Sequence, residues 1–308
     1  MTMAPRIGID LGGTKIAITV LDPSGLDIFT HRVATPRGDY AATLGALAGL
    51  VRDAERQLGC EGRATIGIGM PGSLSPANGR VQNANSVWLN GQFLDADLNA
   101  MLTRPVRLAN DANCFALSEA ADGAGRGAAS IFGVILGTGC GGGLVRHGRL
   151  IDGPLGIGGE WGHNPLPWPL ADEIPGRECW CGLRGCVETW VSGPALYRDY
   201  LSQGGDAGRA GAADAVAQLS ENGDAIATAA LDRHASRLAR GLATVVNLFD
   251  PHAIILGGGL SKLTHLYTVL PRLITPYVFA ENVEISVRPP LHGDASGARG
   301  AARLWDEA

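Results

Sequence analysis

Arg6-Ile7-Gly8-Ile9-Asp10-Leu11-Gly12-Gly13-Thr14-Lys15-Ile16-Ala17-Ile18-Thr19-Val20-Leu21 decides how the rest of the chain is read. Arg6–Leu11 is a short, mostly apolar run, Gly12-Gly13 is a turn, and 16–21 is a second run rich in β-branched residues. The same order returns later. Ser130–Leu136 is strand-like, Gly137-Thr138-Gly139 turns, and 143–146 resumes as a strand. This predicts a duplicated β-turn-β unit, with one copy opening each of two domains. Further strands are expected at 28–34, 64–70, 106–109, 253–256 and 283–287. Helical spacing of apolar residues predicts helices over 39–58, 94–102, 113–121, 194–201, 212–219, 224–248, 263–275 and 295–305. Strands alternating with helices make an α/β protein.

The two turns carry chemistry as well as topology. Glycines expose backbone N–H groups that can hold phosphate oxygens. In the first turn Gly12 and Gly13 supply such groups, Thr14 adds a hydroxyl and Lys15 a charge. Asp10 is placed to hold Mg2+ through water, since hard cations take oxygen ligands. This is not a Walker A loop, which needs Lys followed by Ser or Thr; here Thr14 precedes Lys15. Gly137, Gly139 and Gly142 spell G-x-G-x-x-G, but Leu144-Val145 continue as a strand, whereas a dinucleotide loop opens a helix. With Gly257-Gly258-Gly259 after a third buried strand, the set fits a nucleoside triphosphate such as ATP.

Glu178-Cys179-Trp180-Cys181-Gly182-Leu183-Arg184-Gly185-Cys186-Val187-Glu188 gathers three thiols in C-x-C-x4-C spacing, with His163 sixteen positions upstream of Cys179. Three thiolates and an imidazole complete a tetrahedral Cys3His zinc site. Gly182 and Gly185 let Cys186 turn back toward the others. Glu160 and Glu188 flank these ligands, so a zinc there would present carboxylates to a polar ligand. Cys60, Cys114 and Cys140 are scattered and read as packing residues. Arg107 to Asn113 leads from a strand into a helix. Asp111 at that start is either an ordinary N-cap or a general base taking a proton from a sugar hydroxyl. The neighbouring motifs favour the base.

The chain has 308 residues with 45% hydrophobic and 18% charged content, enough for large buried cores. A net charge of −5 argues against nucleic acid or an anionic membrane as partner. No apolar run is long enough to span a bilayer. No apolar leader precedes the first strand-like run, which reads as a cytoplasmic chain.

Together, Asp10-Leu11-Gly12-Gly13-Thr14-Lys15, Asn110-Asp111, Gly137-Thr138-Gly139, Glu160-x-Gly162-His163 and Cys179-x-Cys181-Gly-x-x-Gly-Cys186-x-Glu188 resemble the ROK family of bacterial sugar kinases. The resemblance implies an actin/hexokinase-like (ribonuclease H-like) fold with an inter-domain cleft. A smaller α/β domain would span 1–109, and a larger one 110–294 with a zinc-bound loop at 160–188. A C-terminal helix near 295–308 would pack back on the first. The resemblance further implies ATP with Mg2+ as cofactor, structural zinc on His163, Cys179, Cys181 and Cys186, and a homodimer. Asp111 would be the base. Gly72, Asn83, Asn110, Asp111, Glu160, His163 and Glu188 would hold a hexose, with His163 serving zinc and sugar through different nitrogens.

Three segments resemble the bacterial fructokinase branch: Val81 to Ser86 with Trp88 to Gly91, Glu160 to Trp168, and His292 to Gly297. They predict phosphorylation of fructose, or mannose, at the 6-hydroxyl. N-acetylglucosamine kinase and glucokinase are the alternatives within the family. The family's transcriptional regulators carry an N-terminal helix-turn-helix domain, for which the strand beginning at Arg6 leaves no room. A non-catalytic sugar binder would be expected to lack Asp111 or the Gly12-Gly13 turn.

Overall fold

The computed structural model describes residues 4–209 and 212–306. In chain order the elements are β1 (Arg6–Leu11), β2 (Lys15–Leu21), β3 (Asp27–Ala34), α1 (Tyr40–Leu58), β4 (Thr65–Met70), β5 (Ser73–Leu74) and β6 (Val81–Gln82). Next come α2 (Leu94–Leu102), β7 (Arg107–Asn110), α3 (Asp111–Ala121), β8 (Ser130–Leu136), β9 (Cys140–Arg146) and β10 (Arg149–Leu150). The remainder holds α4 (Glu188–Val191), α5 (Gly193–Ser202), α6 (Ala213–Glu221), α7 (Ala225–Phe249), β11 (Ala253–Gly257), α8 (His265–Ile274), β12 (Val287–Arg288) and α9 (Ser296–Ala302). No helix among the described residues is long and apolar enough to cross a membrane.

Two five-stranded sheets share one order, β3-β2-β1-β4-β7 and β10-β9-β8-β11-β12. In each, a hairpin opens the sheet and parallel strands extend it on the other side: β1 pairs antiparallel with β2 and parallel with β4, and β8 pairs parallel with β11. The central strands are mostly apolar because they are covered on both faces. Ile7 and Ile9 of β1, Ile66 and Ile68 of β4, and Ile254 and Ile255 of β11 are all buried.

Most elements fall within a residue or two of expectation, and two departures bear on the site and the sheets. β9 begins at Cys140 rather than 143, so Gly141 and Gly142 belong to the strand. Gly142 is a glycine for clearance: a Cβ on it would lie 2.7 Å from the rings of Phe132 and Trp161. The strand expected over 283–287 is reduced to β12, an edge strand that pairs parallel with β11 at Ile254↔Val287 and Ile255↔Arg288.

The chain divides into two compact units. One holds residues up to 126, 143–158 and from 292 onward; the other holds 127–142 and 159–291. The division therefore leaves α3 with the first unit, where a boundary at 109/110 would separate it. The reason is packing against α9. A Cβ on Gly300 would sit 1.7 Å from the Cys114 carbonyl oxygen, so the two helices meet backbone to backbone. The other side of α9 lies on the sheet, where Cβ atoms on Gly8 and Gly67 would fall 1.9 and 1.8 Å from the carbonyls of Ala298 and Ala301. Residues 307 and 308 of the expected C-terminal helix lie outside the described residues.

In the second unit α7 buries two arginines. Arg237 Nε donates to Glu173 Oε1 at 2.8 Å, and Arg240 Nη1 donates to Glu173 Oε2 at 2.7 Å. Arg240 Nη1 also reaches the Trp168 carbonyl at 2.7 Å, and Glu173 Oε2 accepts the Leu170 amide at 2.8 Å. The 168–173 segment is thus tied to α7 by paired, hydrogen-bonded charges.

Candidate functional site

In the first unit, the turn after β1 closes on itself: the Gly12 amide donates to the Lys15 carbonyl at 3.0 Å. Gly12 is therefore not a free donor, while the amides of Gly13 and Thr14 have no backbone acceptor among the described residues. Thr35 braces the turn, its hydroxyl donating to the Gly12 carbonyl at 2.7 Å and its amide to the Thr14 carbonyl at 3.0 Å. Burial pushes the Asp10 carboxyl above the ordinary aspartate range, against the pull of Lys15 and Arg32, and Asp294 adds to the rise. Gly297 of α9 abuts it; a Cβ there would be 3.1 Å from the carboxylate. Two acids near one another, one of them sheltered, are an oxygen-rich donor set of the kind Mg2+ takes.

At the β7–α3 junction the cap role goes to Asn110, not Asp111. The Asn110 Oδ1 accepts the Ala112 amide at 2.9 Å while its Nδ2 donates to the Gly72 carbonyl at 3.1 Å. Asn110 thereby pins the Gly72 loop to the helix start. Gly72 has φ +73, and a Cβ there would fall 2.2 Å from the Gln82 carbonyl, so only glycine fits. Asp111 is the first helical residue, its Oδ1 2.8 Å from the Ala112 amide. Asn83 is exposed with φ +59.

Beside this junction lies a cavity of about 240 Å³, walled by Met70, Leu74 and Leu108 and reached by Ser73, Asn110 and Asn113. Asn113 is 4% exposed, and its Oδ1 has no hydrogen-bond partner among the described residues. Such a buried acceptor is costly unless a donor meets it. Asn113 stands two residues beyond Asp111 on the same helix, and only the direction of its side chain marks it out.

In the second unit, Gly137 likewise uses its amide internally, donating to the Gly139 carbonyl at 3.0 Å. Gly139 does more than turn the chain. A Cβ on it would stand 2.7 Å from Glu188 Oε2, which accepts the Cys140 amide at 2.9 Å. The turn expected to hold phosphate therefore also holds a carboxylate expected to hold sugar. Burial raises the Glu160 carboxyl, Glu188 adds to the rise, and His163 opposes it. Gly258, with φ +78, is needed where a Cβ would meet the Leu136 carbonyl at 2.4 Å; its neighbours Gly257 and Gly259 end β11 and begin a short 3₁₀ turn.

His163, Cys179, Cys181 and Cys186 do converge: one donor atom from each lies within 4.8 Å of the others. Cys179 Sγ stands 3.5 Å from His163 Nδ1, and Cys181 Sγ stands 3.6 Å from Cys186 Sγ. Tetrahedral zinc, with Zn–S of about 2.3 Å and Zn–N of about 2.0 Å, separates its ligands by roughly 3.5–3.8 Å, the spacing of these two pairs, so the donor set is consistent with the ion. The loop shapes itself through Gly182 (φ +88) and Gly185 (φ +74), the latter amide donating to the Arg177 carbonyl at 2.7 Å. With Nδ1 turned to the thiols, Nε2 is the His163 nitrogen left for a second partner.

Trp161, Trp88 and the 292–297 segment, which suggested fructose, serve packing. Trp161 is buried, stacked edge-on against Phe132 at 5.6 Å, with its indole N–H on the Gly141 carbonyl at 3.1 Å. Trp88 packs against the first unit's core. Ser296 donates to Glu119 Oε1 at 2.7 Å, and His292 Nε2 pairs with Asp122 at 2.9 Å.

Two sheets of one order, each opened by a hairpin with a glycine turn, define the hexokinase-like α/β class. Residues 6–308 match the family model described as ROK family, and the chain belongs to that family. The N-acetyl-D-glucosamine kinase of Escherichia coli O127:H6 (strain E2348/69 / EPEC) is 45% identical over 203 residues, which is 64% of this chain and 66% of that kinase. The match thus spans just under two thirds of the length of that relative. The crystal structure of the ROK hexokinase from Thermus thermophilus is similar with a TM-score of 0.82 and 34% identity, covering 97% of this chain and 96% of that one. A ROK family glucokinase from Streptomyces griseus, solved with glucose and AMPPNP, gives a TM-score of 0.76 and 28% identity, over 97% of this chain and 98% of that one. These three are named for N-acetylglucosamine, hexose and glucose; the expected fructose specificity finds no support in those names.

Proposed function

We propose that this chain is an ATP-dependent sugar kinase that phosphorylates N-acetyl-D-glucosamine at its 6-hydroxyl. The 45% identity to a kinase of that name carries the choice of sugar over fructose. The cavity beside Asn110 supports it, because an amide N–H would satisfy the buried Asn113 Oδ1 and the apolar wall would receive a methyl group.

In this reading Asp111 is the base. Its carboxylate takes the hydroxyl proton as that oxygen bonds to the γ-phosphorus and the bond to the bridging oxygen breaks, releasing ADP. Glu160, His163 Nε2 and Glu188 accept or donate to sugar hydroxyls and fix which one reacts. The Gly13 and Thr14 amides, Lys15 and the Gly137-Thr138-Gly139 turn hold phosphate oxygens. Mg2+, held by Asp10 through water, would offset the charge that develops on those oxygens. Zinc on His163, Cys179, Cys181 and Cys186 would fix the imidazole in place.

A coupled ADP-release assay with ATP and Mg2+ tests this over N-acetylglucosamine, N-acetylmannosamine, glucose, mannose and fructose. The highest kcat/KM is expected for N-acetylglucosamine. A preference for fructose would restore the other branch, and no turnover with any sugar would refute the kinase.

A further inference from the structure

Trp180 lies between two of the clustered cysteines, and its side chain is 61% exposed. Despite that exposure, its contacts are specific. The indole Nε1 donates to Glu188 Oε1 at 2.7 Å, and the ring stands edge-on to His163 with centroids 4.9 Å apart and planes at 89°. Glu188 Oε2 is held separately by the Cys140 amide at 2.9 Å. The carboxylate therefore has one donor on each oxygen. A carboxylate offers about four lone-pair positions, so roughly two remain for hydroxyls, at directions the two donors have fixed. An indole N–H only donates, so it cannot reverse role and release the carboxylate.

We infer that Trp180 is a positioning residue: it orients Glu188 and buttresses His163, so that both meet adjacent hydroxyls of a hexose without first having to be ordered. This rests on the reading of Glu188 as a sugar contact. The effect belongs to ground-state sugar binding, so it falls on the sugar KM and spares the nucleotide. Phe at this position keeps an aromatic ring beside His163 and removes the N–H together with the rest of the five-membered ring.

The test is steady-state kinetics on wild type, Trp180→Phe, Glu188→Ala and the double variant, with zinc content and melting temperature measured alongside. Trp180→Phe is expected to raise the sugar KM about tenfold, the scale of one hydrogen bond to a charged group, with kcat within about threefold and the ATP KM and zinc content unchanged. In the Glu188→Ala background the same substitution is expected to change the sugar KM less than about twofold. An equal rise in both backgrounds, or a wild-type KM in Trp180→Phe, overturns the proposal. An unaltered sugar KM in Glu188→Ala alone refutes Glu188 as a sugar contact, a failure distinct from that of Trp180. The exposed position keeps folding out of the comparison; a fall in zinc or melting temperature in Trp180→Phe would assign the indole to loop stability and overturn positioning.

Discussion

Asp111 begins α3 but does not cap it, because Asn110 supplies the cap through its Oδ1. Helix formation therefore does not account for the aspartate, and Asp111→Asn should fold normally. Its kcat is expected to fall by about 10²–10⁴, the scale of a lost general base, while sugar affinity measured by calorimetry stays near wild type. Gly139 gives a second prediction. A methyl 2.7 Å from Glu188 Oε2 must displace that carboxylate, so Gly139→Ala should raise the sugar KM several-fold in the ADP-release assay. At this scale the sequence was informative wherever a residue type has few uses. Cysteines announced a cluster that forms, and Gly182 and Gly185 announced the turns that close it. Trp180 and Asn113 were silent because their roles come from neighbours distant in the chain or from the direction in which a side chain points.

Among elements, the cysteine loop was the most legible, since the spacing alone demands convergence and the donors do converge. Cys181→Ser is expected to lose zinc, measured by metal analysis, together with activity. The preceding segment was opaque. Nothing in 171–177 announces that Glu173 will be buried between Arg237 and Arg240. Burial opposes its ionisation, but the two arginines and the Leu170 amide outweigh that and lower its carboxyl from the usual 4.5 to about 2. A depressed carboxyl adds stability that is fully present above about pH 4.5 and is lost as pH falls toward 2. Glu173→Gln should cost about 3–5 kcal/mol near neutral pH, since it strands buried guanidinium charge. Urea unfolding at pH 7 and pH 3 should show the gap from wild type narrowing at the lower pH. The fructose-like segments are less informative than their letters suggest: Trp161 and Trp88 are distinctive, and both pack against cores.

For the molecule as a whole, the repeated β-turn-β unit foretold the hairpin that opens each sheet, whereas the order shared by the two sheets is visible only in the structure. The packing of α9 was not foretold by periodicity, because its contact face is made of backbone. Gly67→Ala would push a methyl to 1.8 Å from the Ala301 carbonyl and should destabilise the protein by about 3 kcal/mol or more. Gly45→Ala in α1 meets nothing within 4 Å and should stabilise it by about 0.5–1 kcal/mol. Thermal unfolding of the pair separates crowding from helix propensity.

The seat of α9 has a consequence for biosynthesis. The first sheet is complete in sequence by Asn110, yet the helix that covers Gly8 and Gly67 begins only at Ser296. At a translation rate of about 5–20 residues per second, that face waits roughly ten seconds or more for its cover. By the time α9 is made, every residue of the second unit already exists, so the Gly8/Gly67 face of the first sheet is the last surface of either unit to gain its cover.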